Sequence, residues 1–382
     1  MGTSNLIGSF QTQVNLYNPI GVEGDFASRN PRATALTPNG GAFVAGPNGV
    51  TIGNFAWIAS DGITVNSYAT GAVAPSGFVH RDQQGLLTEY LQAAGMLIPP
   101  GFPVTLMVAG DFLDLIVGGS SAVNGSSCYA RYSDGALFIG SAPSGTTGTG
   151  SIGSTNTAAI GSTSTGTAVS GTPNQITLST VTGVVSIGDT VSGTGITAGT
   201  TIVAQISGTT GGAGVYELSA NNTASAATIT TFGKTLVVSA TTGLISIGDT
   251  VSGGAGFPVG ATIVSQVSGT TGGAGTYTLS APATAYVASA AGVTTFGVVL
   301  DVTAVTGTLA ICDAVTGTGV PAGATLASQV SGAVGGVGVY TLDIPATAYA
   351  ASTALTVVAG ILTDFVAKSA ANVGQLVQIS TW

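Results

Sequence analysis

Three imperfect copies of a segment of about sixty residues fill the second half of this chain and limit how it can fold. The clearest core runs GTTIVAQISGTTGGAGVYELS from Gly199, GATIVSQVSGTTGGAGTYTLS from Gly260 and GATLASQVSGAVGGVGVYTLD from Gly323, at spacings of 61 and 63 residues. A second shared block precedes each core: GDTVSG at Gly188, GDTVSG at Gly248 and CDAVTG at Cys312. Repeats of this kind extend an array, each unit burying its apolar face on a neighbour, and do not assemble a catalytic cleft. The pattern points to a structural role.

Within a copy, alternation places Ile202, Ala204 and Ile206 on one strand face and Thr201, Val203 and Gln205 on the other. The SGTTGGAG stretch supplies the positive-φ positions of a hairpin connection. The returning strand carries Tyr216, Tyr277 or Tyr340 and, two residues on, Leu218, Leu279 or Leu342. Each copy therefore reads as a small antiparallel β module with a Tyr, Leu and Ile interior.

Charged residues make up 5% of the chain, against about 25% in an ordinary soluble protein, and there are 60 glycines. Val, Ile and Thr among Gly and Ser favour strands and turns over helices. The net charge of −9 comes with no basic cluster, so nucleic acid is excluded as a partner, as is an anionic membrane surface. No run of eighteen apolar residues is present, so no transmembrane helix is expected. The start, MGTSNLIGSFQTQ, lacks the basic and apolar regions of a signal peptide, which predicts synthesis ending in a cytoplasm. Cys128 and Cys312 are read as buried free thiols, Cys312 standing where two other copies have glycine.

Residues 1–140 differ in texture and hold twelve of the 21 charged residues. One short helix is expected after Asp82, with Leu86, Leu87, Tyr90, Leu91 and Ala94 on one face, Asp82 as N-cap and Gly95 as stop. Strands are expected around it, at AFVAG, VTIGNFAWIAS and VTLMVAGDFLDLIV. Residues 141–172, without a charge and with few large side chains, read as a Gly/Ser/Thr connector; Gly-rich strands packed by neighbours are the alternative. The modules follow at 173–234, 235–298 and 299–359, and 360–382 returns to the texture of the first domain with a strand at LVQISTW. The predicted fold is mainly β: an antiparallel barrel or jelly-roll-like domain with one short helix, and three tandem modules inserted near its C-terminus.

Sites of chemistry are scarce. GTGSIG at Gly148 matches a dinucleotide fingerprint but lacks the following helix and acid, so no cofactor is expected. His80, the one histidine, reads as a structural hydrogen-bonding residue rather than a base, and no metal is expected from one His and two distant Cys. Asp189, Asp249 and Asp313 suit turns better than calcium. Asp111 and Asp114 with Glu23 and Asp25 form a carboxylate set that solvation or an interface explains better than glycoside hydrolysis. The chain is read as no enzyme. Arg29, Arg32 and Arg81 with Phe55 and Trp57 are the contact candidates, since arginine forks and aromatic anchors dominate interfaces.

Several strings then add a resemblance: NPIGVEGDFASRNP at Asn18, FAWIASDG at Phe55, APSGFVHRDQQGLLTEYL at Ala74, IPPGFPVTLMVAGDF at Ile98 and GQLVQISTW at Gly374. Residues 1–140 and 360–382 resemble the structural cement, or head-decoration, proteins of tailed bacteriophages. The resemblance implies a protein on the outer capsid surface that bridges subunits of the major capsid protein, as a homo-oligomer (dimer or trimer) on a capsid symmetry axis. The modules resemble β units appended to phage tail fibres, which implies a second reading as a fibre or adhesin that binds host-surface glycans.

Overall fold

A computed structural model describes residues 21–38, 40–81, 95–141, 143 and 146–382. The helix expected after Asp82 lies outside the described residues. Every regular element within them is a strand. The chain divides into two units, one formed by the described residues up to 143 together with Val358–Trp382, the other by Thr146–Val357.

The first unit combines a seven-stranded sheet with a closed five-stranded barrel. Barrel strands are Asp111–Gly119, Leu137–Ile139, Ser127–Arg131, Gly360–Ala367 and Leu376–Ser380. The last of these runs antiparallel to Asp111–Gly119, with Asp111 opposite Ser380 and Leu115 opposite Leu376. Asp111–Gly119 also pairs with Leu137–Ile139, in parallel. Phe365, from the closing segment, meets Phe55 edge-on at 5.5 Å and packs near Phe78 and Phe112. Such ring pairs each add about 1 kcal/mol beyond the area they bury.

The second unit is organised by a segment that composition disguises. Residues 146–169, expected as part of a connector, form one 24-residue strand, Thr146–Val169, which is the spine of the unit. Ala168 pairs with Ile176, Ile160 with Leu236 and Ile152 with Leu300, so each module meets the spine eight residues after the next. On its other edge the spine pairs with the last strand of the same module, through Ser162 and Thr231, Ser154 and Thr295, or Thr146 and Val357. The sequence carries this octad openly, as IGST at Ile152 and again at Ile160. Gly153 and Gly161 sit at φ +68° and +77°, where a Cβ would lie 1.7 Å from the carbonyl oxygens of Thr295 and Thr231. The next residue turns a hydroxyl inward: Ser154 meets Thr295 at 2.8 Å and Ser162 meets Thr231 at 2.9 Å, all four side chains fully buried. A tract poor in large side chains makes a strand because its neighbours supply the core and its own small residues let them approach.

Each module is a ring of strands closed by an isolated bridge: Thr190 with Thr201, Thr250 with Thr262, Ala314 with Thr325. Inside the second lie Leu236, Val251, Ile263, Tyr277 and Leu279 with Ala158 and Ile160 of the spine. The tyrosine hydroxyls donate to the carbonyls of Gly212, Gly273 and Gly336 at 2.6–2.7 Å. Expected alternation fails at Ile206, which is 50% exposed, because bulges at Ile202/Ala204 and Gln205/Ser207 shift the face. Those bulges free Gln205, Gln266 and Gln329 to pin the hairpin. Gln266 Nε2 donates to the Ser268 and Thr270 carbonyls at 3.3 and 2.6 Å, and its Oε1 accepts the Gly272 amide at 3.0 Å. Gln266→Ala is expected to destabilise the second module by about 1–3 kcal/mol, measured as faster amide exchange in that hairpin alone.

Cys128 is buried, but Cys312 is only half-buried and has φ +74°. It occupies the left-handed turn position that Gly188 and Gly248 hold in the other copies, so the thiol sits at a turn rather than in a core.

Candidate functional site

Three stretches far apart in sequence converge on one face of the first unit. The register that sets Ser380 beside Asp111 brings the chain end to Gly110, whose amide donates to Thr381 Oγ1 at 3.1 Å. Gly110 has no Cβ, and one built there would lie 3.3 Å from Arg32 Cβ. The Arg32 guanidinium lies 3.6 Å from the centroid of the Phe26 ring, which also stacks on His80 at 3.8 Å. A groove beside these residues is lined by Ser28, Asn30, Asp111, Lys368, Gln378 and Trp382.

Asp111 holds the groove together. One carboxylate oxygen accepts Ser28 Oγ and Asn30 Nδ2, both at 2.5 Å. Burial alone would raise this carboxyl, but hydrogen bonds from Ser28, Ser380 and Asn30 and the nearby Lys368 ammonium outweigh it and hold the group below the usual range. It is therefore an anion that ties the loop 26–32 to the barrel. Trp382 is 59% exposed, Lys368 lines the same groove, and Arg32 is exposed beside Gly110, which binds Thr381. A chain with six basic residues thus places two of them, Arg32 and Lys368, with its one exposed tryptophan on a single surface. Trp and Arg are the residues most enriched at binding hot spots.

The sequence candidates separate on this geometry. Arg32 belongs to the surface, and Arg29 is exposed on the same loop. Arg81 lies 4.0 Å from Asp25 in a half-exposed ion pair. Phe55 and Trp57 do not belong: they are 0% and 3% exposed, and the Trp57 indole donates to the Val73 carbonyl at 3.0 Å. Both lie on a central sheet strand covered on each side, so neither can reach a partner. Lys368 and Trp382 were missed as contacts, and their signal was the return of a cation and an aromatic after a long stretch nearly free of charge.

The other carboxylates are structural in their contacts. Asp189, Asp249 and Asp313 accept the amides of Ser186, Ser246 and Ala310 at 2.8–2.9 Å, closing the turn before each short strand. Asp114 lies within the barrel wall, 0% exposed, with only the Leu115 backbone amide near enough to oppose the cost of its burial. Burial first, and the Glu23 carboxylate second, push it well above the ordinary range, which favours the neutral acid. Burial and then the Asp114 charge raise the Cys128 thiol as well. His80 Nδ1 is 2.9 Å from the Gly24 carbonyl. GTGSIG lies inside the spine strand, where no helix terminus can hold a phosphate. Among the described residues, no group of three His, Cys, Asp or Glu side chains is placed to hold a metal.

No curated protein matches the chain. Residues 10–203, half of its length, match the family described as XM1 gp53 minor capsid protein, a span that includes the loop bearing Arg29 and Arg32, the barrel strand of Asp111, and the spine. The chain belongs to the XM1 gp53 minor capsid protein family, and is by that membership a structural component of a bacteriophage virion.

Proposed function

We propose that this protein is a capsid decoration, or cement, protein that docks on the outer face of the shell through the Arg32, Lys368 and Trp382 surface and bridges neighbouring major capsid subunits. The observation that carries this reading is the convergence of the exposed tryptophan with Arg32 and Lys368, two of the chain's six cations, on one face of the first unit. A shell held this way resists opening because separating two subunits also breaks the cement contacts. Arginine forks and a lysine suit carboxylates on the capsid, and the tryptophan supplies apolar area at little entropic cost. The docking role involves no bond-making chemistry. Copies placed around a capsid symmetry axis multiply modest contacts through effective concentration. Host-glycan adhesion draws less support, because the most exposed large apolar residues of the array are all aliphatic, with Tyr286 and Tyr349 only partly exposed.

The test is co-sedimentation of the full chain with undecorated capsids. Arg32→Ala, Lys368→Ala and Trp382→Ala together are expected to weaken binding by at least about 100-fold, at about 1–2 kcal/mol for each contact. Wild-type docking by that triple variant sinks the assignment. Thr146 and Val357 are paired, so their Cα atoms lie about 5 Å apart and a short turn can replace everything between them. The shortened chain is expected to dock with unchanged affinity.

A further inference from the structure

The second module carries an open groove, and the exposed residues along it recur in the other two modules. The groove lies between the turn at 244–247 and the strand Ile263–Gly269, lined by Ile247, Gln266, Val267 and Thr271 with the buried Tyr277. Ile247 is 72% exposed and Val267 66%. The pair recurs as Ile187 and Ile206 in the first module (71% and 50%) and Ile311 and Val330 in the third (41% and 64%). The third copy has diverged around it, with Cys312 for glycine and Ala333-Val334 for Thr-Thr, yet keeps both aliphatics. Single exposed apolar residues need no explanation; the same pair at the same place in three successive units marks an interaction surface.

The spine fixes the spacing of these aliphatic pairs. Eight residues at about 3.3 Å each make steps of about 26 Å along the spine. A partner that covers all three pairs must carry apolar sites on that same step, and a second copy of this chain does. A two-fold axis through the second module sets the first pair of one copy against the third of the other and the second against the second, an isologous match. The six side chains expose roughly 600 Å² of apolar surface per copy, close to the roughly 800 Å² per partner of a standard interface. Tyr277 is the one ionisable side chain in the groove, and its hydroxyl is committed to Gly273, so no like charges oppose one another.

We propose that two copies of this chain pair antiparallel along their module arrays, through Ile187/Ile206, Ile247/Val267 and Ile311/Val330. The pairing is independent of capsid docking, which uses the other unit. Sedimentation velocity of the full chain from about 1 to about 100 µM is expected to show a dimer. Ile187→Ser/Ile247→Ser/Ile311→Ser, and separately Ile206→Asn/Val267→Asn/Val330→Asn, are expected to raise the dimer dissociation constant at least about 100-fold while leaving the melting curve and capsid binding unchanged. Ile247→Cys, at the axis, is expected to oxidise to a linked dimer, whereas Val123→Cys, 62% exposed on the other unit, is not. A monomeric or trimeric wild type, or a dimer that survives in both triple variants, overturns the pairing. An Ile247→Cys chain that stays unlinked overturns its register.

Discussion

Removing residues 146–169 is expected to leave all three modules unfolded, although every repeat core remains in the chain. Each ring of strands has a gap between its first and last strand, and one octad of the spine fills it. Without the spine, both flanking strands lose a full ladder of backbone hydrogen bonds, and Leu236 and Leu300 lose their partners Ile160 and Ile152. Each lost ladder bond costs about 0.5–1.5 kcal/mol net even with water in its place, and the opened ring exposes its leucine and tyrosine interior, so a module that loses about half a dozen bonds cannot remain folded at a net stability of about 5–15 kcal/mol. A fragment of 173–359 alone is therefore expected to give the circular dichroism of an unfolded chain, and fragment 146–359 that of a β protein. Gly161→Val tests the same point with one residue. Its Cβ would meet the Thr231 carbonyl oxygen at 1.7 Å from a φ of +77°, and the expected loss exceeds about 4 kcal/mol, confined to the first and second modules. A folded 173–359 fragment would show that the repeats close without the spine.

This dependence explains where sequence reading succeeds and where it stops. The hairpin of each copy is legible because SGTTGG supplies the turn glycines, and Gly211, Gly272 and Gly335 all adopt φ near +67°. The tyrosine and leucine of the returning strand are buried to within 3% in every copy. The strand LVQISTW is likewise visible and occupies Leu376–Ser380. The spine is not visible by composition, because the cue for a strand is a large apolar side chain and this one borrows its core from its neighbours. Its cue is the octad, a period too short to resemble a module and too long for strand alternation. Phe55 and Trp57 mislead for the opposite reason. Aromatic residues in a distinctive string suit a contact as well as a core, and only the second covering layer decides between them. Trp382 is readable as an aromatic at the chain end, but its company with Arg32 and Lys368 depends on the register of Asp111 with Ser380.

The protein is expected to be more stable at pH 4.5 than at pH 7.5, the reverse of most acidic proteins, and the buried carboxyls set the sign. Burial pushes Asp189 and Asp249 up to about 6, against the hydrogen bonds they accept from Ser186 and Thr231, and from Ser246 and Thr295. In the unfolded chain each titrates near about 3.9, so the folded state holds the proton more tightly. The stability this contributes is complete below about pH 4 and is lost as pH rises through about 6, at about 3 kcal/mol for each carboxyl. Asp114 acts in the same direction in the first unit, since ionising it buries a charge beside the Glu23 carboxylate with only the Leu115 amide to offset it. Asp111, held below the usual range, opposes them only when the pH falls below about 4, so the optimum lies between these limits. Between pH 4.5 and 7.5 the two carboxyls lose about 2 kcal/mol each, so at about 2–4 °C for each kcal/mol in a unit of this size the second unit is expected to melt about 8–16 °C higher at pH 4.5 than at pH 7.5. Asparagine mimics the neutral acid, so Asp189→Asn/Asp249→Asn is expected to match wild type at pH 4.5, exceed it at pH 7.5 and flatten the profile between. A wild-type melting temperature that instead climbs from pH 4.5 to 7.5 would mean that these carboxylates are ionised in the fold, stabilised by more than the amide and hydroxyl groups that surround them.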